Sequence, residues 1–209
     1  MQQEQKERQV VKQFLKVSLA LVFGFLWVTS AEAHIGHGVA HGFTSGFGHP
    51  ITGVDHILAM IAVGMFAAHL GGRALWLVPM SFVSMMAVGG ALGVTGVNLP
   101  LVELGIAMSV IVLGALVALQ TSMSTSIAMG LVGFFAVFHG HAHGAEMPAS
   151  VSGLTYAAGF MLATAVLHVA GIGMGLGLSQ AASIYSRRVI QAGGVAMAAA
   201  GVGILAGVI

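Results

Sequence analysis

Cysteine is absent from the 209 residues, and charge is nearly so: Lys and Arg number seven, Asp and Glu six, together 6% of the chain. Without Cys there are no disulfides, no thiolate metal sites and no iron–sulfur clusters. A soluble domain carries roughly a quarter charged residues to cover its surface, so this chain is not one. Its net charge of +1 supplies no basic patch, which removes nucleic acid from the expected partners. The patterns GxGxxG and GxxxxGK[ST] are missing, so coupling to ATP would need another subunit. HExxH and the GxSG of rhomboid proteases are missing too. What remains is apolar: 57% hydrophobic residues and a mean hydropathy of +0.98. The lipid bilayer is the first expected partner.

The first 33 residues read as a secretory signal. Lys6, Arg8, Lys12 and Lys16 form a long basic segment, Val17 to Val28 a short apolar core, and Ala31-Glu32-Ala33 a cleavage site. The other reading of this segment is an uncleaved first transmembrane helix. Cleavage puts His34 at the mature N-terminus, outside the cytoplasm. Residues 34–209 then hold stretches at about 50–70, 74–95, 99–119, 123–141, 151–177 and 188–208, each near the ~20 residues a membrane helix needs. The expected fold class is therefore all-α, an integral membrane protein with a six-transmembrane-helix bundle after a cleavable signal peptide. Glycines spaced four apart, Gly89/Gly93, Gly140/Gly144, Gly171/Gly175 and Gly203/Gly207, predict close helix approach in lipid.

Beyond residue 33 the only cations are Arg73, Arg187 and Arg188, and with His34 outside all three fall on the cytoplasmic side, as the positive-inside rule requires. The only acids there are Asp55, Glu103 and Glu146. The same topology gathers all three at the outer face, a result the charge rule did not use. Carboxylates in lipid-compatible surroundings are costly and mark functional sites.

Two of these acids sit among histidines. In His49-Pro50-Ile51-Thr52-Gly53-Val54-Asp55-His56, a helix beginning at Pro50 would place His49 and His56 on one face. Asp55 would lie about 100° round from His56, near enough for adjacent ligation or for one side chain to orient the other. A carboxylate–imidazole pair that only staples helices is the alternative. In Phe138-His139-Gly140-His141-Ala142-His143-Gly144-Ala145-Glu146, the residues His139, His143 and Glu146 fall on one helical stripe, with His141 on another side. Imidazoles one turn apart suit a divalent transition metal. Glu103, one turn into the third stretch, is either an interfacial carboxylate or a member of the same site. His34, His37 and His41 precede the first stretch, and whether they collect metal is open. His168 reads as a packed or cavity-lining side chain, with a metal ligand at an inner position as the alternative.

The motifs HPITGVDH at 49–56 and FHGHAHGAE at 138–146 resemble those of the HupE/UreJ membrane proteins, regarded as nickel or cobalt permeases. The resemblance extends over the mature chain through leader, span number and acid placement; the long polar start of the leader departs from the pattern. It implies a bacterial inner-membrane permease, not an enzyme, taking up Ni²⁺ or Co²⁺ for hydrogenase or urease. No prosthetic group is implied; the ion is the cargo. By motif the resemblance implies functional roles for His49, Asp55, His56, His143 and Glu146, and by position for Glu103. A homo-oligomer or a transporter partner subunit stays open. The rival from another class is a membrane-embedded His-box metalloenzyme of the di-iron type, to which the HxxxH pairs His37/His41 and His139/His143 point, although no HxxHH box is present.

Overall fold

The computed structural model describes residues 39–147, 151–180 and 184–208. The expected leader, its cleavage site, His34 and His37 lie outside the described residues. Within them every regular element is a helix: α1 (Val39–Thr52), α2 (Val54–Leu70), α3 (Ala74–Val94), α4 (Val102–Leu119), α5 (Thr125–Ala145), α6 (Gly153–Gln180) and α7 (Ile184–Leu205). Five of these, α3 to α7, are long and apolar enough to cross a membrane, or six if α1 and α2 count as one broken span. The chain is thus an all-helical, multi-pass membrane protein.

The first span departs from its expected form. Pro50 does not open the helix; it lies near the end of α1, and the chain breaks at Gly53 before α2 sets off at 77° to α1. Two local causes meet here. Proline has no N–H to give the helix, and beyond it the Thr52 hydroxyl turns back on the last turn, 3.2 Å from the Gly48 carbonyl and 3.0 Å from that of His49, with one hydrogen to share between them. Gly53 then takes an extended conformation, φ −81° and ψ 119°. Any Cβ at Gly53 would press on the Asp55 carboxylate and the His56 ring. His49 and His56 therefore stand on two helices, not on one face of one helix. The fourth expected stretch also differs, because α5 continues to Ala145 and keeps the whole second histidine motif helical.

Close backbone approach holds the bundle together. A Cβ at Gly89 would overlap the Val137 carbonyl, one at Gly140 the Met86 carbonyl, and one at Gly144 the Gly90 carbonyl, so α3 and α5 interlock along their length. Gly171 and Gly175 seat α6 against α2 at Ile61, Gly64 and Ala68. Without a hydrophobic drive between helices in lipid, this contact of small residues supplies much of the association. At Gly207 a Cβ would meet open space, and α7 meets α4 through Gly194 and Gly201, beside Ala118 and Ile111. Core side chains including Met60, Phe66, Phe82, Met86 and Leu113 are fully enclosed. Leu119, Phe134, Leu154 and Val169 face outward, as lipid-facing apolar residues should.

Helix direction separates the chemistry. α2 and α6 run the same way, with His56 beside Phe160 at their starts and Ala68 beside Gly175 near their ends. The α2–α3 turn, made by Gly71 and Gly72 at φ +68° and +51°, therefore puts Arg73 at the end remote from the histidines. Arg187 and Arg188, in α7 shortly after α6 ends, belong to that same end.

Candidate metal centre

Three helices deliver the histidines to one place and a fourth packs against them. The start of α2 brings Asp55 and His56, the last turns of α5 bring His139 and His143, the end of α1 brings His49, and α6 closes the side with Phe160. His139, His143 and His56 are buried, Asp55 is partly buried, and His49 and Glu146 are exposed. Two trios result, each with one ligand atom per residue and all three atoms within 4.8 Å of one another: His49, His143 and Glu146 at the mouth, and Asp55, His56 and His139 beneath. A bridge links them, since His56 Nε2 and His143 Nε2 are 2.6 Å apart.

The surrounding hydrogen bonds accommodate one proton arrangement in which ring lone pairs converge. His56 Nδ1–H donates to Asp55 Oδ2 at 2.9 Å, which leaves His56 Nε2 a bare lone pair. The Ser109 hydroxyl donates to the Ile106 carbonyl at 2.6 Å. Ser109 can then only accept from His139 Nε2–H, 2.7 Å away, which leaves His139 Nδ1 bare as well. These two lone pairs face each other at 3.2 Å. His143 Nε2 lies 2.6 Å from His56 Nε2 while its Nδ1 has no partner; with its hydrogen on Nε2 it donates to His56, and with the hydrogen moved to Nδ1 it presents a third lone pair to the same point. In that second arrangement the three neutral imidazoles are set to receive a cation. Imidazole nitrogens bound to a first-row dication at about 2.0–2.1 Å lie roughly 3 Å from each other; His56 Nε2 has His139 Nδ1 at 3.2 Å and His143 Nε2 at 2.6 Å. Asp55, against the far nitrogen of His56, stands where a carboxylate orients a ligating imidazole and raises its basicity. Its carboxylate also lies within 4.8 Å of the ligand atoms of His56 and His139, so the geometry accommodates both roles that the spacing allowed.

The remaining sequence candidates are placed as follows. His141 points away from the trios, with its Nε2–H donating to the Val97 carbonyl at 2.7 Å in the α3–α4 connection. Glu103 is exposed in the first turn of α4 and joins neither trio among the described residues. The contribution of α4 comes from Ser109, which is fully buried and was not singled out from sequence. Phe160 was missed too; its ring lies 4.6 Å from that of His143 and 5.9 Å from that of His56. A lone serine or phenylalanine in an apolar stretch carries no signal of its own, and each is recognised only once its neighbours are in place. A cavity of about 540 Å³ between α3, α5 and α6 reaches His143 from the side, its walls mainly Met, Gly and Ala with Tyr156 and Phe160.

The family model described as HupE / UreJ protein matches residues 20–204, which include every residue of both trios. The chain belongs to the HupE/UreJ family. Among curated proteins, Protein HupE of Rhizobium leguminosarum bv. viciae is 48% identical over 172 residues, 81% of this chain and 88% of that protein. No solved structure matches. Both signature segments of the HupE/UreJ resemblance, 49–56 and 138–146, are thus the segments that the fold brings together from α1, α2 and α5.

Proposed function

We propose that this HupE/UreJ chain is an inner-membrane permease that takes up Ni²⁺ or Co²⁺ through the two histidine trios and supplies a hydrogenase or urease. The observation that carries the reading is the facing pair of imidazole lone pairs at His56 Nε2 and His139 Nδ1, 3.2 Å apart, with His143 Nε2 beside them. Imidazole with carboxylate and no thiolate suits borderline dications of this kind. The mouth trio of His49, His143 and Glu146 captures the hydrated ion. The buried trio strips water from it, with His143 passing it to His56. Asp55 offsets part of the cost of bringing a double charge into the membrane.

In this reading residues 1–33 are cleaved, the broken α1–α2 pair and α3 to α7 are six spans, and α1 lies along the first turns of α6 at the outer face. Arg73, Arg187 and Arg188 are then cytoplasmic and the histidine end faces outward. The membrane potential draws cations inward with about 2.3 kcal/mol per charge per 100 mV, which drives a dication without ATP. The protein performs no chemistry on its cargo and holds no prosthetic group. The di-iron reading gains nothing from the fold or from the family.

Radioactive nickel accumulation in vesicles that contain only this protein tests the proposal. Uptake well above that of empty vesicles, dependent on an inside-negative potential, is the expected result. Vesicles that bind nickel but never accumulate it would indicate a sensor or an accessory subunit instead.

A further inference from the structure

One imidazole in the core has nothing to do. His168, in α6, is 1% exposed, and neither Nδ1 nor Nε2 has a hydrogen-bond partner. Each unsatisfied polar atom so enclosed costs stability, and a leucine or phenylalanine would fill the same space without that cost. A buried histidine left in this state is poised for something that arrives.

Its position suggests what. Phe160, Thr164, His168, Gly171, Gly175 and Ser179 form one stripe down α6 at helical spacing. The stripe begins at the metal centre, where Phe160 touches His143. One turn further, the buried Thr164 hydroxyl points at the Met86 sulfur, 3.7 Å away. Next comes His168, separated from His139 by a single ring: Phe82 lies 5.8 Å from His139 and 5.2 Å from His168, centroid to centroid. The stripe ends at a small cavity lined by His69, Gln120, Gly175 and Ser179 at the opposite end of the bundle.

We propose that His168 is a second station for the transported dication, beyond the Phe82 ring, which takes the ion from His139 and releases it toward the His69 cavity. This rests on the permease reading above. An uncharged site with one imidazole, flanked by a hydroxyl and a thioether, binds weakly. Transit requires that weakness, because a deep site rich in carboxylates would trap the ion.

The test uses the full chain in vesicles with nickel alone as the probe, measuring equilibrium binding and potential-driven uptake separately. In His168→Leu, binding at the outer centre should stay within about threefold of wild type, thermal stability should be equal or higher, and uptake should fall at least about tenfold. Should the leucine variant fail to fold, His168→Phe carries the same expectation. Wild-type uptake in either folded variant would overturn the proposal and leave the permease reading intact. Loss of outer-centre binding along with uptake would also overturn it, by making His168 a support of the first site. If the wild-type protein itself accumulates no nickel, the permease reading fails and this inference fails with it.

Discussion

The two trios use the same ligand chemistry in opposite surroundings. His49, His143 and Glu146 lie at a mouth where two of the three side chains are exposed. Asp55, His56 and His139 lie beneath, with both imidazoles buried and each fixed by a dedicated partner, Asp55 for His56 and Ser109 for His139. At the mouth the imidazoles meet one another and Phe160 through their rings. A loosely held, wet trio exchanges ligands quickly. A rigid, dry one sets tautomers in advance and binds only what supplies positive charge. In the proposed permease, capture and commitment would be separated by one bridge, His143 to His56.

The largest effect should come from cutting that bridge. His143→Ala removes a ligand from the mouth and the third lone pair from the buried group, so uptake should drop by more than about 100-fold at normal membrane expression, with binding lost as well. Retained uptake would mean the trios do not work in series. Asp55→Asn comes next. The amide oxygen can still accept from His56 Nδ1, but the negative charge that balances the dication is gone, and a fall of about 10–100-fold in uptake is expected. Wild-type uptake in this variant would reduce Asp55 to a helix staple.

A subtler change sharpens the contrast between the trios. Ser109→Ala removes the acceptor that holds His139 in its tautomer, and it touches nothing at the mouth. Uptake should fall about 3–10-fold, while rapid, low-affinity nickel binding stays as in wild type. Equal loss of both would show that the two trios are one site. The smallest effect belongs to His141→Ala. Its ring secures the Val97 carbonyl at 2.7 Å, so about 1 kcal/mol of stability should be lost, with uptake within roughly threefold of wild type.

How much of this was legible in the chain follows from what each signal depends on. The helices and their approximate limits follow from long apolar runs, because lipid forces every backbone group into a helix. The stripe of His139, His143 and Glu146 follows from helix periodicity alone, and α5 continues far enough to honour it. The break at Gly53 was not legible as a break. Pro50 suits a helix start as well as a helix end, and only the packing of α1 along α6, where Gly46 meets the Tyr156 backbone and Gly159 the Phe43 backbone, decides between them. Asp55 could be read as a ligand or as an orienting group, since spacing gives an angle and not a hydrogen bond. The place expected for Glu103 in a shared site came from its depth in the span. Depth carries no information about which face of α4 meets α5, and the side chain that does reach His139 is Ser109. His168 was read as packed, and it is; what no sequence reveals is that both its nitrogens are left without partners.

The central claim is that His56, His139 and His143 converge on a divalent ion, and X-ray absorption of the purified protein loaded with one equivalent of Ni²⁺ tests it most directly. The account expects three imidazoles among the nearest ligands at about 2.0–2.1 Å, falling to two in His143→Ala. A shell of water and carboxylate oxygens with no imidazole scattering, unchanged by that substitution, would contradict it.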